Sequence, residues 1–180
     1  MRHAYSFLIR AMRPSDLDAV LAVQAACYPP SMQEAGGVVL ARMGVGGERC
    51  VVAEDGEGIC GYLFAYPSRL GKVTPLGAEF DAAPDGDTLY LHDLAIAPRA
   101  HGRGLARRLV SHLLAQARAQ GLASSALVSV QDTAGFWTAL GYEASETTCS
   151  MARAALASYP GVARYMVRVL TGPGALSPSC

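Results

Sequence analysis

Several residue patterns that mark large classes of protein are missing from this sequence. The 180 residues include one lysine and one tryptophan, and the five cysteines form neither a CxxC pair nor a cluster with histidine. Such spacing offers no metal-binding pattern, and an odd number of cysteines without a secretory signal favours reduced thiols. No 18 apolar residues run together, so a membrane-spanning helix is not predicted. We expect a soluble, cytoplasmic protein that binds no metal.

The composition indicates one globular domain over residues 1–180. Hydrophobic residues make up 51% and charged residues 17% of the chain, and the mean hydropathy is +0.22. These values exclude a disordered chain, a disulfide miniprotein and a coiled coil. Residues 171–180 are rich in Gly, Pro and Ser and are expected to form a flexible tail. Fifteen basic residues balance 15 acidic ones, which gives no indication of a nucleic-acid or membrane partner.

The neutral total hides an uneven distribution of charge. Residues 1–93 carry 7 basic and 12 acidic residues, a net charge of −5, whereas residues 94–180 carry 8 basic and 3 acidic ones, a net charge of +5. Four arginines of the second half lie within ten residues: Arg99, Arg103, Arg107 and Arg108. The sequence therefore predicts an anion site in its second half.

Apolar periodicity predicts strands that alternate with helices. Helical spacing predicts helices over 15–27, more weakly over 31–43, from Gly104 to Gly121, and over 133–140. Apolar, β-favouring runs predict strands at 7–12, 50–53, 59–66, 88–97, 126–130 and 163–170. Residues 67–88 are rich in Pro, Gly, Asp and Ala and are expected to form a long loop. The order of these elements is that of an α/β (α+β) protein.

The segment Arg99-Ala100-His101-Gly102-Arg103-Gly104 stands between a predicted buried strand and the long helix. Glycines at 102 and 104 lack a Cβ where the backbone must turn, and this leaves N–H groups free at the positive end of a helix dipole. Such a position favours phosphate oxygens, and nearby arginines add charge-assisted contacts. The alternative is a glycine-rich turn that binds no phosphate.

Two other phosphate-binding patterns fit this segment less well. A dinucleotide-binding fingerprint needs a third glycine where Arg107 stands and an acidic residue near Val130. A P-loop needs Gly-Lys followed by Ser or Thr, and the only lysine is Lys72. The phosphate site is therefore expected to be of another kind.

The pattern Arg-x-x-Gly-x-Gly after Leu94-Ala95-Ile96-Ala97-Pro98 resembles the acyl-CoA-binding motif of the GNAT N-acetyltransferase superfamily. Residues 136–142, Phe-Trp-Thr-Ala-Leu-Gly-Tyr, are similar to that family's Phe-Tyr-x-x-x-Gly-Phe segment, and the element order over residues 6–170 follows its fold. The resemblance implies a mixed, mostly antiparallel sheet of six to seven strands flanked by about four helices. It also implies an acetyl-CoA-dependent N-acetyltransferase that acts on a primary amine of a small molecule or polypeptide. A homodimer that pairs the last strand with a second subunit is left open.

By the same resemblance, the pantetheine arm of acetyl-CoA lies between the strand ending at Ile96 and the next strand. The pyrophosphate lies on the N–H groups of His101 to Ala106, and a backbone N–H near Leu94 polarises the thioester carbonyl. The residues expected to bind the cosubstrate are Leu94, Ala95, Ile96, Arg99, His101, Gly102, Arg103, Gly104, Leu105, Ala106, Phe136 and Trp137. Trp137 stands where the family commonly has the tyrosine that protonates the leaving thiolate, so the general acid is left open.

His92 and Asp93 are the catalytic candidates. An amine must lose a proton before it attacks, and His92 occupies a strand position where the family often places a proton acceptor. A buried histidine bonded to backbone is the alternative interpretation of His92. Asp93 is expected on the opposite face if the strand is regular, where it would orient the strand or the amine.

The acceptor side is less well defined by the sequence. Tyr28 and Glu34 are expected to bind substrate, with a solvated helix carboxylate as the alternative for Glu34. Residues 79–93 contain five acidic residues and no basic one, so this loop either attracts a cationic amine or is simply solvated. The rival to an enzyme is a CoA-binding sensor or structural subunit, an alternative that the missing tyrosine keeps open.

Overall fold

In the computed structural model, which describes residues 6–171, seven strands form one sheet with α-helices on both faces. The strands are β1 (Leu8–Ala11), β2 (Val51–Asp55), β3 (Gly58–Ser68), β4 (Thr88–Ile96), β5 (Ser124–Ser129), β6 (Glu143–Ala144) and β7 (Arg164–Val169). The helices are α1 (Leu17–Cys27), α2 (Gly36–Gly46), α3 (Leu105–Ala119), α4 (Ala134–Thr138) and α5 (Ser150–Ala157).

The strand order is β1-β2-β3-β4-β5-β7-β6. Every neighbouring pair is antiparallel except β4 and β5, which are parallel and joined through α3. This confirms the expected mixed, mostly antiparallel sheet, with one helix more in the described chain than the resemblance implied. The last strand is not an edge, because β7 has β5 on one side and β6 on the other.

Two apolar layers cover the sheet. On one face, α3 buries the stripe that its sequence predicts, and Trp137 of α4 joins this layer. On the other face, α1, α2 and α5 supply Val20, Val39 and Ala152 to a second layer. The nearly continuous apolar sequence of β4 is explained by this arrangement, since a strand covered on both faces needs no polar alternation.

The middle of β4 contains a β-bulge at His92. Asp93 pairs with Phe64 of β3, but Leu91 pairs with the adjacent Ala65, so His92 is an extra residue in the ladder. Before the bulge, Leu91 packs in the α3 layer; after it, Leu94 packs there instead. The bulge therefore exchanges the faces to which odd-numbered and even-numbered residues of β4 point.

Several element boundaries differ from the sequence predictions: β5 begins at Ser124 rather than Ala126, and the second helix ends at Gly46 rather than Met43. The second helix begins at Gly36 rather than Ser31, because Pro30–Met32 forms a short 3-10 turn before it. Helix α5 was not expected, although its sequence Ser-Met-Ala-Arg-Ala-Ala-Leu-Ala has high helix propensity. Residues 172–180 of the expected flexible tail lie outside the described residues.

The sequence had suggested that all the cysteines are reduced thiols, and the structure differs from this expectation. Cys27, Cys50 and Cys60 are free thiols, whereas Cys149 is disulfide-bonded. No helix within residues 6–171 has both the length and the apolar composition that crossing a membrane requires.

Candidate active site

The cleft of this protein opens where β4 and β5 separate. Parallel pairing runs from Thr88 and Ser124 to Leu91 and Leu127 and is not continued beyond them. From there β4 stays with β3, while β5 stays with β7. A cleft of about 590 Å³ lies between the two diverging strands and extends to the first turn of α3.

Two backbone positions of β4 face this cleft. The Ala97 N–H donates to the Cys60 carbonyl on the β3 side at 2.8 Å, so the alternation of a strand turns the backbone groups of Leu94 and Ile96 towards the gap. Groups from the cleft already bond to both carbonyls: the Tyr28 hydroxyl to Leu94 at 3.0 Å and the His101 ring to Ile96 at 2.8 Å. The N–H groups at these two positions are the backbone donors that a ligand in the gap can meet.

The glycine-rich turn forms the other end of the cleft. Gly102 and Gly104 have φ of +74° and +71°, a left-handed conformation that residues with a Cβ rarely adopt. The first hydrogen bond of α3 runs from the Arg108 N–H to the Gly104 carbonyl at 3.2 Å. The N–H groups of residues 105–107 therefore have no acceptor within the helix and are available to an anion at its positive end.

The arginines of this turn differ in what they contact. The Arg99 guanidinium donates to both carboxylate oxygens of Asp55, at 2.9 and 2.8 Å, and to the carbonyl of Gly58. This contact lowers the pKa of the Asp55 carboxyl. Arg103 also faces Asp55, at 3.8 Å. Arg107 instead lines the cleft, with its guanidinium 5.9 Å from the centre of the Phe136 ring.

The aromatic residues of α4 form one wall of the cleft. Trp137 is 8% exposed and packs edge-to-face against Phe136 and Tyr142, with ring centroids 4.9 and 5.5 Å away. The Tyr142 hydroxyl is bonded to Ser125 at 2.8 Å in the core and does not line the cleft. Trp137 therefore provides no general acid in the cleft, because its indole N–H is not acidic, and Tyr142 provides none because its hydroxyl lies in the core.

Asp93 lies at the inner end of the cleft, between two tyrosines. Tyr28 donates to one carboxylate oxygen at 2.7 Å and Tyr62 donates to the other at 2.8 Å. Burial raises the pKa of both phenols well above their ordinary value, with the Asp93 charge adding to the effect. Asp93 was expected to point away from His92 only if the strand is regular; the bulge breaks that regularity, and both residues line the same cleft.

The imidazole of His92 is held in an apolar setting. Its side chain is 3% exposed and packs against the rings of Phe80 and Tyr90. Nε2 lies 3.8 Å from a carboxylate oxygen of Glu34, whereas Nδ1 has no hydrogen-bond partner. Burial, reinforced by the charge of Arg42, lowers the pKa of His92 to about 3. The ring is therefore neutral at physiological pH, and Nδ1 is a bare acceptor when Nε2 carries the proton.

The side chain of Glu34 is buried, so Glu34 is not the solvated helix carboxylate that the sequence left as an alternative. It lies between the 3-10 turn and α2, with its side chain 6% exposed. Its carboxylate pairs with the buried guanidinium of Arg42 and accepts a 3.1 Å hydrogen bond from the Gly77 N–H. Arg42 was missed by sequence reasoning; its signal is a lone cation in the apolar run Val-Val-Leu-Ala-Arg-Met-Gly of α2.

The model of the Acetyltransferase (GNAT) family matches residues 17–142. This chain belongs to the GNAT family. Among curated proteins, none matches its sequence significantly.

Solved structures share the GNAT fold of this chain. The GNAT-like decarboxylase GphF, in complex with isobutyryl-CoA, is 22% identical with a TM-score of 0.79, and the match covers 91% of this chain and 100% of GphF. A GNAT acetyltransferase from Brucella melitensis with acetyl-CoA is 20% identical (TM-score 0.65; 97% and 94% covered). The ribosomal-protein-S18-alanine N-acetyltransferase of Escherichia coli is 15% identical (TM-score 0.67; 94% and 97% covered).

Most of the site residues predicted for this GNAT protein come together in one cleft. Ten of the twelve residues expected at the cosubstrate line it, together with His92, Asp93 and Tyr28. Arg99 and Arg103 are not among the lining residues and contact Asp55. Glu34 lines a smaller pocket next to the cleft. The roles of all these residues stay predictions, because a position does not by itself show an activity.

Sequence reasoning missed other residues of the GNAT cleft. Gln131 and Asp132 follow β5 with φ of +54° and +57°, and Gln131 lines the cleft. Two consecutive non-glycine residues in this conformation are strained, which is frequent beside ligand sites. Tyr159 lines the smaller pocket, and no sequence motif had pointed to it.

Proposed function

We propose that this protein transfers an acetyl group from acetyl-CoA to a primary amine. The observation that carries the proposal is a single cleft with the N-terminus of α3 at one side and Asp93 beside His92 at the other. The helix end suits the phosphates of an acyl-CoA thioester, and the Asp93 carboxylate at the other end suits a cationic acceptor. Family membership supports acyl transfer of this kind.

The donor side of the cleft fits acetyl-CoA through backbone groups. N–H groups of residues 105–107 and the Arg107 guanidinium suit a diphosphate. Leu94 and Ile96 present N–H groups to an extended amide chain, as a neighbouring strand would. Acetyl-CoA supplies the activated thioester when bound. Arg99 and Arg103 act on this side indirectly in our proposal, because they fix the β2–β3 turn through Asp55.

The acceptor side must neutralise an ammonium group. A primary amine near pKa 10 is mostly protonated at pH 7, so it arrives as a cation that the Asp93 carboxylate can bind. Asp93 takes one proton and passes it to solvent, while His92 Nδ1 accepts a hydrogen bond from the same nitrogen. A carbon–nitrogen bond forms and the carbon–sulfur bond breaks. As the amide forms, the nitrogen loses its second proton to Asp93, and this proton balances the one that the sulfur gains.

Tyr28 is the proposed donor of the proton to sulfur. Its hydroxyl lines the cleft beside the Leu94 carbonyl, and its raised pKa keeps it protonated. Asp93, at 2.7 Å, can return a proton to the phenol afterwards. In this proposal Tyr28 therefore protonates the leaving thiolate, which Trp137 cannot do because it has no acidic group.

Release of CoA by the purified full-length protein tests this proposal. Acetyl-CoA is incubated with primary amines of different size and charge, and free thiol is measured, with CoA binding followed separately by calorimetry. Amine-dependent thiol release is expected. Binding of CoA without acceleration by any amine would overturn the enzyme and favour the sensor or structural subunit.

A parallel reaction with malonyl-CoA and no amine separates acetyl transfer from decarboxylation. None of the described residues lining the smaller pocket is Lys or Arg, and the Asp93 carboxylate would repel a second carboxylate there. We expect no loss of the malonyl carboxylate. Formation of acetyl-CoA from malonyl-CoA would contradict this assignment.

A further inference from the structure

A small pocket continues the cleft beyond His92 and Asp93. It has a volume of about 40 Å³, which is space for roughly two or three non-hydrogen atoms. Its apolar wall is formed by Met32, Leu76, Val128 and Val130, and its polar lining includes His92 and Asp93. A ligand group that enters must therefore be narrow.

The charge at this pocket is negative and lacks a paired cation. Glu34 is neutralised by Arg42, with which it forms an ion pair. Asp93 accepts hydrogen bonds from two phenols, which carry no charge, and no ion pair joins it to a cation within residues 6–171. The pocket and cleft therefore share one carboxylate that has no ion-pair partner among the described residues, while the charge of Arg42 also acts on it.

His92 supplies a second, independent indication of a ligand. Its buried Nδ1 has no partner, and the residue lines both the cleft and the pocket. An unpartnered buried polar atom costs free energy, so its persistence is explained when a ligand donates to it. The groups that face His92 from neighbouring elements are Glu34, Arg42 of α2, and Asp93 on its own strand. With Nε2 turned to Glu34, Nδ1 needs an N–H donor, which an ammonium or amine provides.

From these observations we infer that the acceptor is a primary amine on an unbranched carbon with no carboxylate next to the nitrogen. This inference rests on the proposed N-acetyltransferase function and specifies its acceptor. The aminomethylene end fits the narrow pocket mouth, the nitrogen meets Asp93 and His92, and the remainder of the molecule extends outwards. A carboxylate on the adjacent carbon would face Asp93 without a cation to pair with it, and a branch would meet the apolar wall.

The expected discrimination is measurable with matched pairs of amines. n-Butylamine and sec-butylamine differ in branching, whereas glycinamide and glycine differ in the carboxylate. We expect kcat/KM for acetyl transfer to be on the order of tenfold or more higher for the first member of each pair, the factor that about 1.4 kcal/mol represents. Because the amines differ in basicity, each value is corrected to the concentration of the ammonium form, which is the form that Asp93 binds in the proposed mechanism.

Asp93→Asn tests whether Asp93 is the source of the carboxylate discrimination. The variant is expected to lose activity with both glycinamide and glycine, but the ratio between them should fall towards one. Asp81→Asn removes the same charge from an exposed ion pair with Lys72 and should leave that ratio unchanged. A general loss of folding or catalysis affects both substrates alike and cannot change the ratio.

The outcomes separate this inference from the function on which it rests. If no amine accelerates thiol release, the N-acetyltransferase proposal fails. If amines react but glycine and sec-butylamine equal their partners, the enzyme stands and the acceptor inference is overturned. An unchanged ratio in Asp93→Asn overturns the role assigned to that carboxylate.

Discussion

The hydroxyl of Tyr28 donates a 2.7 Å hydrogen bond to Asp93, and so joins the end of α1 to the bulge of β4. Tyr62 of β3 makes an equivalent bond of 2.8 Å to the second carboxylate oxygen. The first tyrosine lines the cleft, whereas the second is fully buried beneath it. The two phenols thus donate to the same carboxylate from different environments. Comparing variants of the two can therefore separate a chemical role of Tyr28 from a structural one.

Tyr28→Phe is expected to lower kcat for acetyl transfer by about 100-fold, the lower range for a lost acid or base. Binding of CoA should stay close to wild type. Tyr62→Phe removes the matching bond away from the cleft and should mainly lower the free energy of unfolding, by about 1 kcal/mol. Steady-state kinetics and urea unfolding measure the two effects. Equal losses of kcat in both variants would contradict the role of Tyr28 as proton donor.

Gly104→Ala is expected to weaken CoA binding at least about tenfold, because Ala in the left-handed conformation costs roughly 1–2 kcal/mol and the backbone N–H groups shift to relieve it. Gly121→Ala is the matched control. Gly121 has φ of +75° and, like Gly104, has open space where a Cβ would lie, but it follows the opposite end of α3. Both variants should lose similar stability, while only Gly104→Ala loses affinity in calorimetry. Equal CoA affinities in the two variants would refute the phosphate site.

Arg107→Gln should lower CoA affinity roughly tenfold at low salt, with a smaller effect at high salt, as a charged hydrogen bond to phosphate would. Arg99→Gln should change the affinity less, because that guanidinium is bonded to Asp55 and the β2–β3 turn. Titration with CoA at two salt concentrations compares them. A larger loss in Arg99→Gln would instead support direct phosphate binding by Arg99.

The protein should become less stable as the pH is lowered through the acid range, because of His92. Burial lowers the pKa of His92 from 6.5 to about 3, so between these values the unfolded chain binds a proton that the native protein does not. The free energy of unfolding then decreases as pH falls from 6.5 towards 3, by up to about 1.4 kcal/mol per pH unit from this residue. Urea unfolding of wild type and His92→Gln at several pH values measures the slope. The variant should show a shallower decrease, and identical slopes would show that His92 is not buried as a neutral ring.

Local patterns in the sequence predicted the parts of the site that depend on local structure. The stripe of leucines fixed the buried face of α3, and Gly102 and Gly104 required a turn that residues with a Cβ rarely form. Both signals lie within a short stretch of chain, so the start of the helix and the glycine turn before it followed from the residues alone, while anion binding there stays a prediction.

The bulge and the buried ion pair could not be predicted in this way. The extra position of His92 depends on the register between β3 and β4, which is set by contacts far apart in sequence. Glu34 is buried because Arg42 and Gly77 reach it, and neither contact has a recognisable pattern. The acidic loop was ambiguous for the same reason: Asp81 and Asp85 pair with Lys72 and Arg69 at the surface.

The separation of β4 from β5 gives the sheet an internal edge. An exposed outer edge can recruit a strand from another protein, but here helices cover both faces and an occupant has to enter between two strands of the same chain. The unpaired backbone of β4 therefore lies inside the fold, where an extended ligand that enters the gap can form the hydrogen bonds that a neighbouring strand would otherwise form.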